Sequence, residues 1–309
     1  MCNSWKVIIA LNATFLTLIP KEERVTNLKN FRPIALCNVI YKIISKYIAL
    51  RLKPILPFII SKEQSGYVEG RKIMDSVILF HEIIHSLKIT STLVMLLNLD
   101  LSKDFDKLSW KYMKELLLAF GFNKDWVSWI MNLISSTFFS ILVNGVPSQP
   151  ISPSRGIRQG EPLSPFLFVI MAEGLGRYIM ASIQNGSLQG LPLHGLQPTA
   201  SHSQFVDDTL LMNTPTVQEA IKLSSILSDF SEASGTTFNL AKSKLFFFNS
   251  PVAIQQHLSQ LLNTHIFTMP SRYLGFPLSN SAARNISWDS LYSPLPTVWA
   301  TKPFVPSTF

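Results

Sequence analysis

Apolar positions follow a helical period in several long segments of the chain. Between Val39 and Lys53, apolar side chains recur at spacings of three and four residues. They are Ile40, Ile43, Ile44, Tyr47 and Ile48. Because this spacing places side chains on one face of an α-helix, the segment predicts an amphipathic helix that ends before Pro54.

Residues that favour helix ends indicate two further helices. One is predicted from Lys107 to Phe120, because Asp106 can cap its start and Gly121 can end it. Another is predicted after Ser164, which can act as the cap while Pro165 takes the first helical position.

Two apolar runs have the length of strands. Thr92 to Leu99 is almost continuously apolar, which is typical of a buried central strand. Gln204 to Met212 is a second run, interrupted in its middle by Asp207 and Asp208. Helices and strands together predict a mixed α and β protein. From about Ser279 the periodicity is lost and Pro and Ser accumulate, so we expect this tail to be poorly ordered.

Composition fits a folded protein that binds a polyanion. The chain has 309 residues, of which 47% are hydrophobic, and it is long enough for one large domain or two smaller ones. Its 27 Lys and Arg outnumber its 19 Asp and Glu, giving a net charge of +8. A basic balance favours nucleic acid as a partner, although many unrelated proteins share it.

The cysteines and the apolar start of the chain bear on its cellular location. Cys2 and Cys37 are the only cysteines in the sequence, which excludes a disulfide framework or a Cys-based zinc site and favours a reducing intracellular compartment. The apolar segment from Lys6 to Ile19 contains polar interruptions and no clear cleavage site, so we expect it to be folded, not a secretion signal. No stretch reaches the roughly 18 uninterrupted apolar residues that span a bilayer, and Leu163 to Ala172, which Glu173 ends, is the nearest to that length.

Three aspartates lie where a metal site could form. Neighbouring side chains of a strand point to opposite faces, so Asp207 and Asp208 can share a site only if a turn brings them together. We therefore predict a hairpin in which 205–206 closes one strand and 209–212 opens the next. With Asp100 at the end of its own strand, these carboxylates could hold two Mg²⁺ or Mn²⁺ ions for phosphoryl transfer. Each aspartate alone is equally typical of a turn or a strand end.

A second motif suggests a different metal chemistry. His81-Glu82-Ile83-Ile84-His85 matches the pattern of zinc peptidases, in which two His lie one helical turn apart. No Gly and His continuation follows between Ser86 and Ser91, and the neighbouring apolar positions describe an ordinary amphipathic helix. The zinc peptidase remains the less favoured alternative.

Seven segments in a fixed order resemble the reverse transcriptases of non-long-terminal-repeat retrotransposons, particularly the LINE-like elements common in plant genomes. The resemblance covers about Leu11 to Leu278. The segments are NFRPIALCNVIYKIISKYIALRLK at 30–53, EQSGYVEGRKIMDSVI at 63–78, LNLDLSKDFDKLSW at 97–110, GIRQGEPLSP at 156–165, FVDDTLLM at 205–212, FNLAKSK at 238–244 and YLGFPL at 273–278.

The resemblance implies an α+β fold of the right-hand polymerase type. Its palm would be an antiparallel sheet that carries the three aspartates, with helices on the far face. The fingers would comprise about 1–91 and 135–162, and the palm about 92–134 and 163–278. The chain would end before a thumb, and 279–309 would be a degenerate tail.

The resemblance also implies roles for individual residues. Asp100, Asp207 and Asp208 would hold the two ions, with the Leu101 carbonyl as a further ligand. Lys242 would protonate the departing pyrophosphate, although a structural salt bridge is an alternative role for it.

Further residues would bind the nucleotide and the template. Phe105 would be a steric gate against a 2′-OH, or simply a core aromatic. Gln159 and Gly160 would line the nucleotide pocket. Two basic residues, Arg71 and Lys72, would neutralise the triphosphate or form a solvated pair, and Arg32 would touch the template backbone.

The implied activity is the addition of deoxynucleoside triphosphates to a DNA primer on an RNA template, with nuclear residence. A non-catalytic relic that only binds nucleic acid is an alternative. The sequence departs from the family at Asp104, usually Ala, at Glu161, usually Asp, and at Val206, commonly Ala. Asp104 would add a negative charge near Asp100 that could raise the pKa of a neighbouring carboxyl.

Overall fold

A computed structural model describes residues 9–21, 27, 30–102, 104–191, 201–268 and 271–278. The tail predicted to be poorly ordered lies outside these residues. The strands are β1 Ala13–Pro20, β2 Phe31–Cys37, β3 Val94–Leu99, β4 Phe138–Val143, β5 Val146–Pro147, β6 His202–Phe205, β7 Asp208–Asn213, β8 Lys244–Phe248, β9 His265–Ile266, β10 Ser271–Tyr273 and β11 Phe276–Leu278. The helices are α1 Ile9–Asn12, α2 Val39–Leu52, α3 Leu56–Ile59, α4 Ile73–Thr90, α5 Asp104–Lys107, α6 Trp110–Ala119, α7 Lys124–Ser135, α8 Ser164–Gln184, α9 Val217–Ser234 and α10 Val252–Leu261.

A five-stranded sheet forms the centre of the fold, with the order β6-β7-β3-β8-β9. The apolar run that predicted a central strand is β3, which pairs antiparallel with β7 on one side and β8 on the other. Only the β8–β9 pair of this sheet is parallel. The sheet is therefore mainly antiparallel, and β3 is buried because it is covered on both edges and both faces.

Alternate residues of β3 enter two separate cores. Met95, Leu97 and Leu99 pack with helices α6 to α9, whereas Val94 and Leu96 pack with α4. Helices α6 to α9 therefore cover one face of the sheet, and α4 covers the opposite face. A strand with apolar residues at consecutive positions requires such cover on both sides.

A smaller sheet joins the start of the chain to its middle. Its order is β2-β1-β4-β5, in which β1 pairs antiparallel with β2 and parallel with β4. Two segments separated by about a hundred residues, 13–37 and 138–147, therefore form one unit beside the larger sheet.

Helix α2 has the predicted extent but buries a different face. Asn38 caps it by accepting a hydrogen bond from the Ile40 N–H, and Lys53 ends it. The buried side chains are Tyr41, Ser45, Ala49 and Leu52, whereas Ile43 and Tyr47 of the apolar stripe are 64% and 60% exposed. Both faces contain apolar residues, and the side with the small Ser45 and Ala49 permits closer packing.

The starts of two helices differ from the prediction. Asp106 lies in the short helix α5, and α6 begins only after Ser109, whose side chain accepts from the Tyr112 N–H. Leu163, not Ser164, occupies the N-cap position of α8 and makes no side-chain capping bond, while the Ser164 hydroxyl donates to Glu161.

Helix α8 has the length and hydropathy of a membrane span. The sequence had predicted no segment of that length, because polar residues interrupt the apolar ones. Most of this helix is buried against the rest of the protein, including Phe168, Val169 and Ile170. Its apolar character is explained by its position in the main core.

Candidate active site

A tight hairpin carries the adjacent aspartates. Phe205 pairs with Asp208 across β6 and β7, leaving Val206 and Asp207 as the two residues of the turn. The sequence predicted this hairpin, but Asp208 is the first residue of β7 and not part of the bend. Asp207 is exposed at the tip, and Asp208 is half-buried.

The register of the central sheet brings Asp100 to the same end. Leu99 pairs with Thr209, so Asp100 leaves β3 where Asp208 enters β7. In an antiparallel pair of strands, the residue after Leu99 lies opposite the residue before Thr209, so Asp100 and Asp208 lie opposite each other. Three carboxylates from two chain segments therefore gather at one edge of the sheet.

The chain segment before β8 fixes Asp100. The Asn239 N–H donates to the Asp100 carbonyl at 2.7 Å, and the Asp100 N–H donates to the Ser243 hydroxyl at 3.2 Å. Leu101 forms an isolated antiparallel bridge with Phe238. The backbone around Asp100 is thus bonded on both sides, which gives the carboxylate a defined position.

Burial and mutual repulsion disfavour the charged forms of these groups. Burial first, and then repulsion from Asp207 and Asp100, raises the pKa of Asp208 from 3.8 to about 6. Burial also raises the pKa of Asp100, and Asp207 acts in the same direction. The three side chains therefore lie within electrostatic range of one another, and bound cations would offset their combined charge.

The donor chemistry of the cluster fits hard divalent cations, which bind carboxylate oxygens. Among the described residues, however, no three His, Cys, Asp or Glu side chains converge closely enough to enclose one ion. Asp100, Asp207 and Asp208 thus share an edge and an electrostatic field without closing around a common point. The repulsion that raises the Asp208 pKa is what bound cations would relieve.

Basic side chains near the cluster include one predicted residue and two that were not predicted. The positive charges of Lys242 and Lys21 lower the pKa of Asp100, and that of Lys244 lowers the pKa of Asp208. Lys242 is exposed, as a group that meets a ligand must be. Lys244 is the last residue of the 238–244 segment that resembles the family. That segment therefore contains a second basic residue of the site, for which the sequence predicted no role.

Phe105, in α5, packs against the main core. Its ring stacks on the fully buried ring of Phe168, with centroids 4.9 Å apart and planes 3° apart. Its carbonyl accepts from the Ile157 N–H, which connects α5 to the loop before α8. The ring is half-buried, so one side packs in the core.

The loop that contains Gln159 and Gly160 binds the smaller sheet. The Ala35 N–H donates to the Gln159 carbonyl at 2.8 Å. Gly160 has a φ of +94°, and a Cβ there would lie 3.3 Å from the Ile34 side chain. Gln159 lines a cavity of about 260 Å³ between this loop and β1 and β2, together with Asp106. A concave site of this kind can accept part of a ligand.

Arg71 has partners other than those predicted. Its guanidinium donates to the carbonyls of Ile60, Ser61 and Gln64. These bonds tie the loop before α4 together, so the side chain is committed to backbone atoms. Lys72 is exposed at the N-cap position of α4.

Arg32 is exposed on β2, opposite Ile19 of β1. The structure therefore places it on the smaller sheet, and its contact with the template backbone stays a prediction.

The unusual Glu161 is part of a buried polar cluster. It is 2% exposed, and it accepts hydrogen bonds from Tyr41 and Ser164. Arg158 stacks over the Tyr41 ring, 3.8 Å from its centre. The Asp104 side chain lies outside the described residues, so its effect on the site stays a prediction.

The zinc peptidase alternative gains no support. His81 and His85 lie one turn apart on α4, half-buried and exposed respectively. In the described part of the chain, no third ligand joins them.

Comparison with known proteins identifies the family. The sequence profile described as "Reverse transcriptase (RNA-dependent DNA polymerase)" matches residues 19–278, which is most of the chain. The chain is 32% identical over 197 residues to the "Transposon TX1 uncharacterized 149 kDa protein" of Xenopus laevis, covering 64% of this chain and 15% of that protein. It is 27% identical over 233 residues to a "Retrovirus-related Pol polyprotein from type-1 retrotransposable element R2" of Popillia japonica, covering 74% of this chain and 31% of that protein.

A solved structure has the same fold. The structure of telomerase from Candida albicans, in complex with a fragment of telomeric RNA, matches with a TM-score of 0.57 and 13% identity. The match covers 87% of this chain and 44% of the telomerase chain. The α+β right-hand polymerase fold expected from the sequence is thereby confirmed. The chain spans less than a third of the curated retrotransposon proteins that it matches. It belongs to the reverse transcriptase (RNA-dependent DNA polymerase) family.

Proposed function

We propose that this chain is the fingers and palm of a LINE-type reverse transcriptase of plant origin, which adds deoxynucleotides to a DNA 3′ end on an RNA template. The observation that supports this most directly is the meeting of Asp100, Asp207 and Asp208 at one edge of the central sheet. The fingers would comprise 1–91 and 135–162, and the palm 92–134 and 163–278. An enzyme that primes at a chromosomal nick would reside in the nucleus.

The proposed roles follow from where the side chains lie. Asp100, Asp207 and Asp208 would bind two Mg²⁺ or Mn²⁺ ions, with the Leu101 carbonyl as a further ligand. When bound, such ions stabilise the charge that develops during transfer between phosphates. The exposed ammonium of Lys242 would give a proton to the departing pyrophosphate, since its charge already acts at Asp100.

Other residues would bind the nucleotide and the nucleic acid. Phe105 would place its ring against the sugar, supported from behind by Phe168. Gln159 and Gly160 would border the nucleotide, and Arg32 would contact the template backbone. Arg71 and Lys72 would contact the triphosphate; Lys72 is exposed, whereas the Arg71 guanidinium already donates to three backbone carbonyls.

A basic cavity favours a polyanionic partner as well. It measures about 350 Å³, and the charged residues of its lining are Lys107, Lys111, Arg155 and Glu232, so the basic residues outnumber the acidic one. Cationic side chains around one cavity attract phosphate groups, and the net charge of +8 adds to this attraction.

The test is primer extension on a poly(rA) template with an oligo(dT) primer and Mg²⁺. The proposal expects deoxythymidine incorporation by the wild type and its loss in Asp207→Asn. Asp125→Asn changes an exposed aspartate of α7 and should leave incorporation unchanged. Primer-template binding without any incorporation would instead support the non-catalytic nucleic-acid-binding relic.

A further inference from the structure

The turn that carries Asp207 has an unfavourable backbone conformation. Val206 has a φ of +58°, in the left-handed region that β-branched residues rarely adopt. Two-residue hairpins that need a positive φ at their first turn position normally have Gly there. Contacts from elsewhere in the chain must therefore hold Val206 in place.

Gln64 supplies these contacts. Its side-chain carbonyl Oε1 accepts from the Val206 N–H at 3.0 Å and from the Gly66 N–H at 2.9 Å. Its Nε2 donates to the Val206 carbonyl at 3.4 Å. The residue is fully buried, so water does not compete for these bonds. One side chain thus binds both backbone groups of the strained residue.

The backbone next to Gln64 extends the central sheet beyond β6. Gln64 forms a parallel bridge with Gln204, whose N–H donates to the Glu63 carbonyl at 2.7 Å. The Ser65 N–H donates to the Gln204 carbonyl at 2.9 Å. The 63–65 segment is therefore fixed against the strand that leads into the turn.

Gly66 permits this close approach. A Cβ at position 66 would lie 2.5 Å from Cγ2 and 2.7 Å from the backbone N of Val206. Both distances are shorter than van der Waals contact, so any larger residue at position 66 would push the turn away.

Arg71 fixes the same loop from its other side. Its guanidinium donates to the Gln64 carbonyl and to those of Ser61 and Ile60. Hydrogen bonds therefore link Arg71 to Gln64, and Gln64 to Val206, which precedes Asp207 in the chain.

We propose that Gln64 is a positioning residue that holds the Val206 turn in its strained conformation, so that Asp207 stays beside Asp100 and Asp208. Gln64 acts through Val206 and touches none of the three carboxylates itself. The inference rests on the proposed polymerase function for its effect on activity, and on geometry alone for its effect on the turn.

Gln64→Met tests the proposal, because it keeps the side-chain length and removes all three hydrogen bonds. We expect kcat for primer extension to fall about 10²-fold, the scale associated with misplacing a reacting group by about 1 Å. The KM for primer-template should not change. Gln149→Met, at an exposed position, is the matched control and should retain wild-type kcat.

A second substitution separates positioning from a general role in folding. Val206→Gly removes the cost of a positive φ, so adding it to Gln64→Met should restore a large part of the lost kcat. A defect that Val206→Gly does not relieve would overturn the proposal. If Gln64→Met does not fold, Gly66→Ala leaves Gln64 intact and displaces the same turn, and unchanged kcat in that variant would overturn the proposal too.

Hydrogen exchange gives a readout that needs no activity. In the wild type, the Val206 amide should be protected by the buried Gln64 carbonyl, and Gln64→Met should abolish that protection while the β3–β7 amides stay protected. Equal Val206 protection in both proteins would overturn the inference. If the wild type shows this protection but no incorporation, the proposed function fails while the role of Gln64 in the turn holds.

Discussion

Asn239 acts on Asp100 in two ways. Its backbone N–H donates to the Asp100 carbonyl at 2.7 Å, and the polar side chain of Asn239 lowers the pKa of the Asp100 carboxyl, against the larger effect of burial. A residue far along the chain therefore both places Asp100 and favours its charged form.

Asn239→Leu should shift the pH dependence of catalysis. Losing the polar Asn239 side chain removes an influence that lowers the pKa of Asp100, so this pKa rises and the acid limb of the kcat profile moves to higher pH. Steady-state kcat between pH 5 and pH 9 measures this. Ser243→Ala is the comparator, because the Ser243 hydroxyl accepts from the Asp100 N–H and donates to the Asn239 carbonyl, so both of its bonds are to backbone groups. Ser243→Ala should lower kcat without shifting the acid limb of the profile. If the acid limb does not shift in Asn239→Leu, Asn239 does not control the pKa of Asp100.

Asp208 should make the metal-free protein less stable as pH rises. Its folded-state pKa of about 6 exceeds the ordinary 3.8, so between these values the folded protein binds more protons than the unfolded chain. The free energy of unfolding should therefore fall as pH increases from about 4 to about 6 and then level off. Asp208→Asn should lose this part of the pH dependence. Urea unfolding in EDTA measures the difference, and identical slopes for both proteins would contradict it.

Phe105→Ala should admit ribonucleotides and also weaken the fold. The lost stacking on Phe168 should lower the free energy of unfolding by about 2 kcal/mol, less than for a fully buried ring. Incorporation of UTP relative to dTTP measures selectivity. Phe122→Ala removes a similar stack on Trp126 and should reduce stability without changing selectivity. Unaltered sugar discrimination in Phe105→Ala would leave that ring a structural role only.

Arg158→Leu should destabilise the protein through its buried partners. Arg158 donates to the Asn12 side chain at 2.6 Å and to the Leu133 carbonyl at 3.4 Å, and both acceptors would lose this donor. We expect the free energy of unfolding to fall by about 3 kcal/mol. Arg155→Leu, at an exposed position, should change it by less than about 0.5 kcal/mol. Equal stability of the two variants in urea would show that the buried contacts contribute nothing.

The sequence predicted those features that depend on local signals. The β3 run is apolar at consecutive positions, and the Asp207–Asp208 pair interrupts another run, so the central strand and the hairpin could both be recognised. The buried face of α2 was not predictable in this way, since both sides of that helix are apolar. The start of α6 was predicted three residues too early because Asp106 and Ser109 are both residues that favour an N-cap. In the structure Ser109 is the cap, and its side chain accepts from the Tyr112 N–H.

Long-range partners account for the other differences within the site. The bonds from Asn239 and Ser243 to Asp100 join residues about 140 positions apart, and spacing along the chain contains no information about them. The partners of Arg71 could not be predicted from the sequence either, because a guanidinium can bind a triphosphate or backbone carbonyls equally well. Only the folded loop shows three carbonyls within its reach.

The central claim is that Asp100, Asp207 and Asp208 hold two divalent ions for nucleotide transfer. Anomalous diffraction from crystals grown with Mn²⁺, primer-template and a non-hydrolysable deoxynucleotide tests it most directly. We predict two anomalous peaks, about 3.5–4 Å apart, in contact with these carboxylates. Crystals that contain the bound nucleotide but show no Mn²⁺ at this edge of the sheet would contradict the claim.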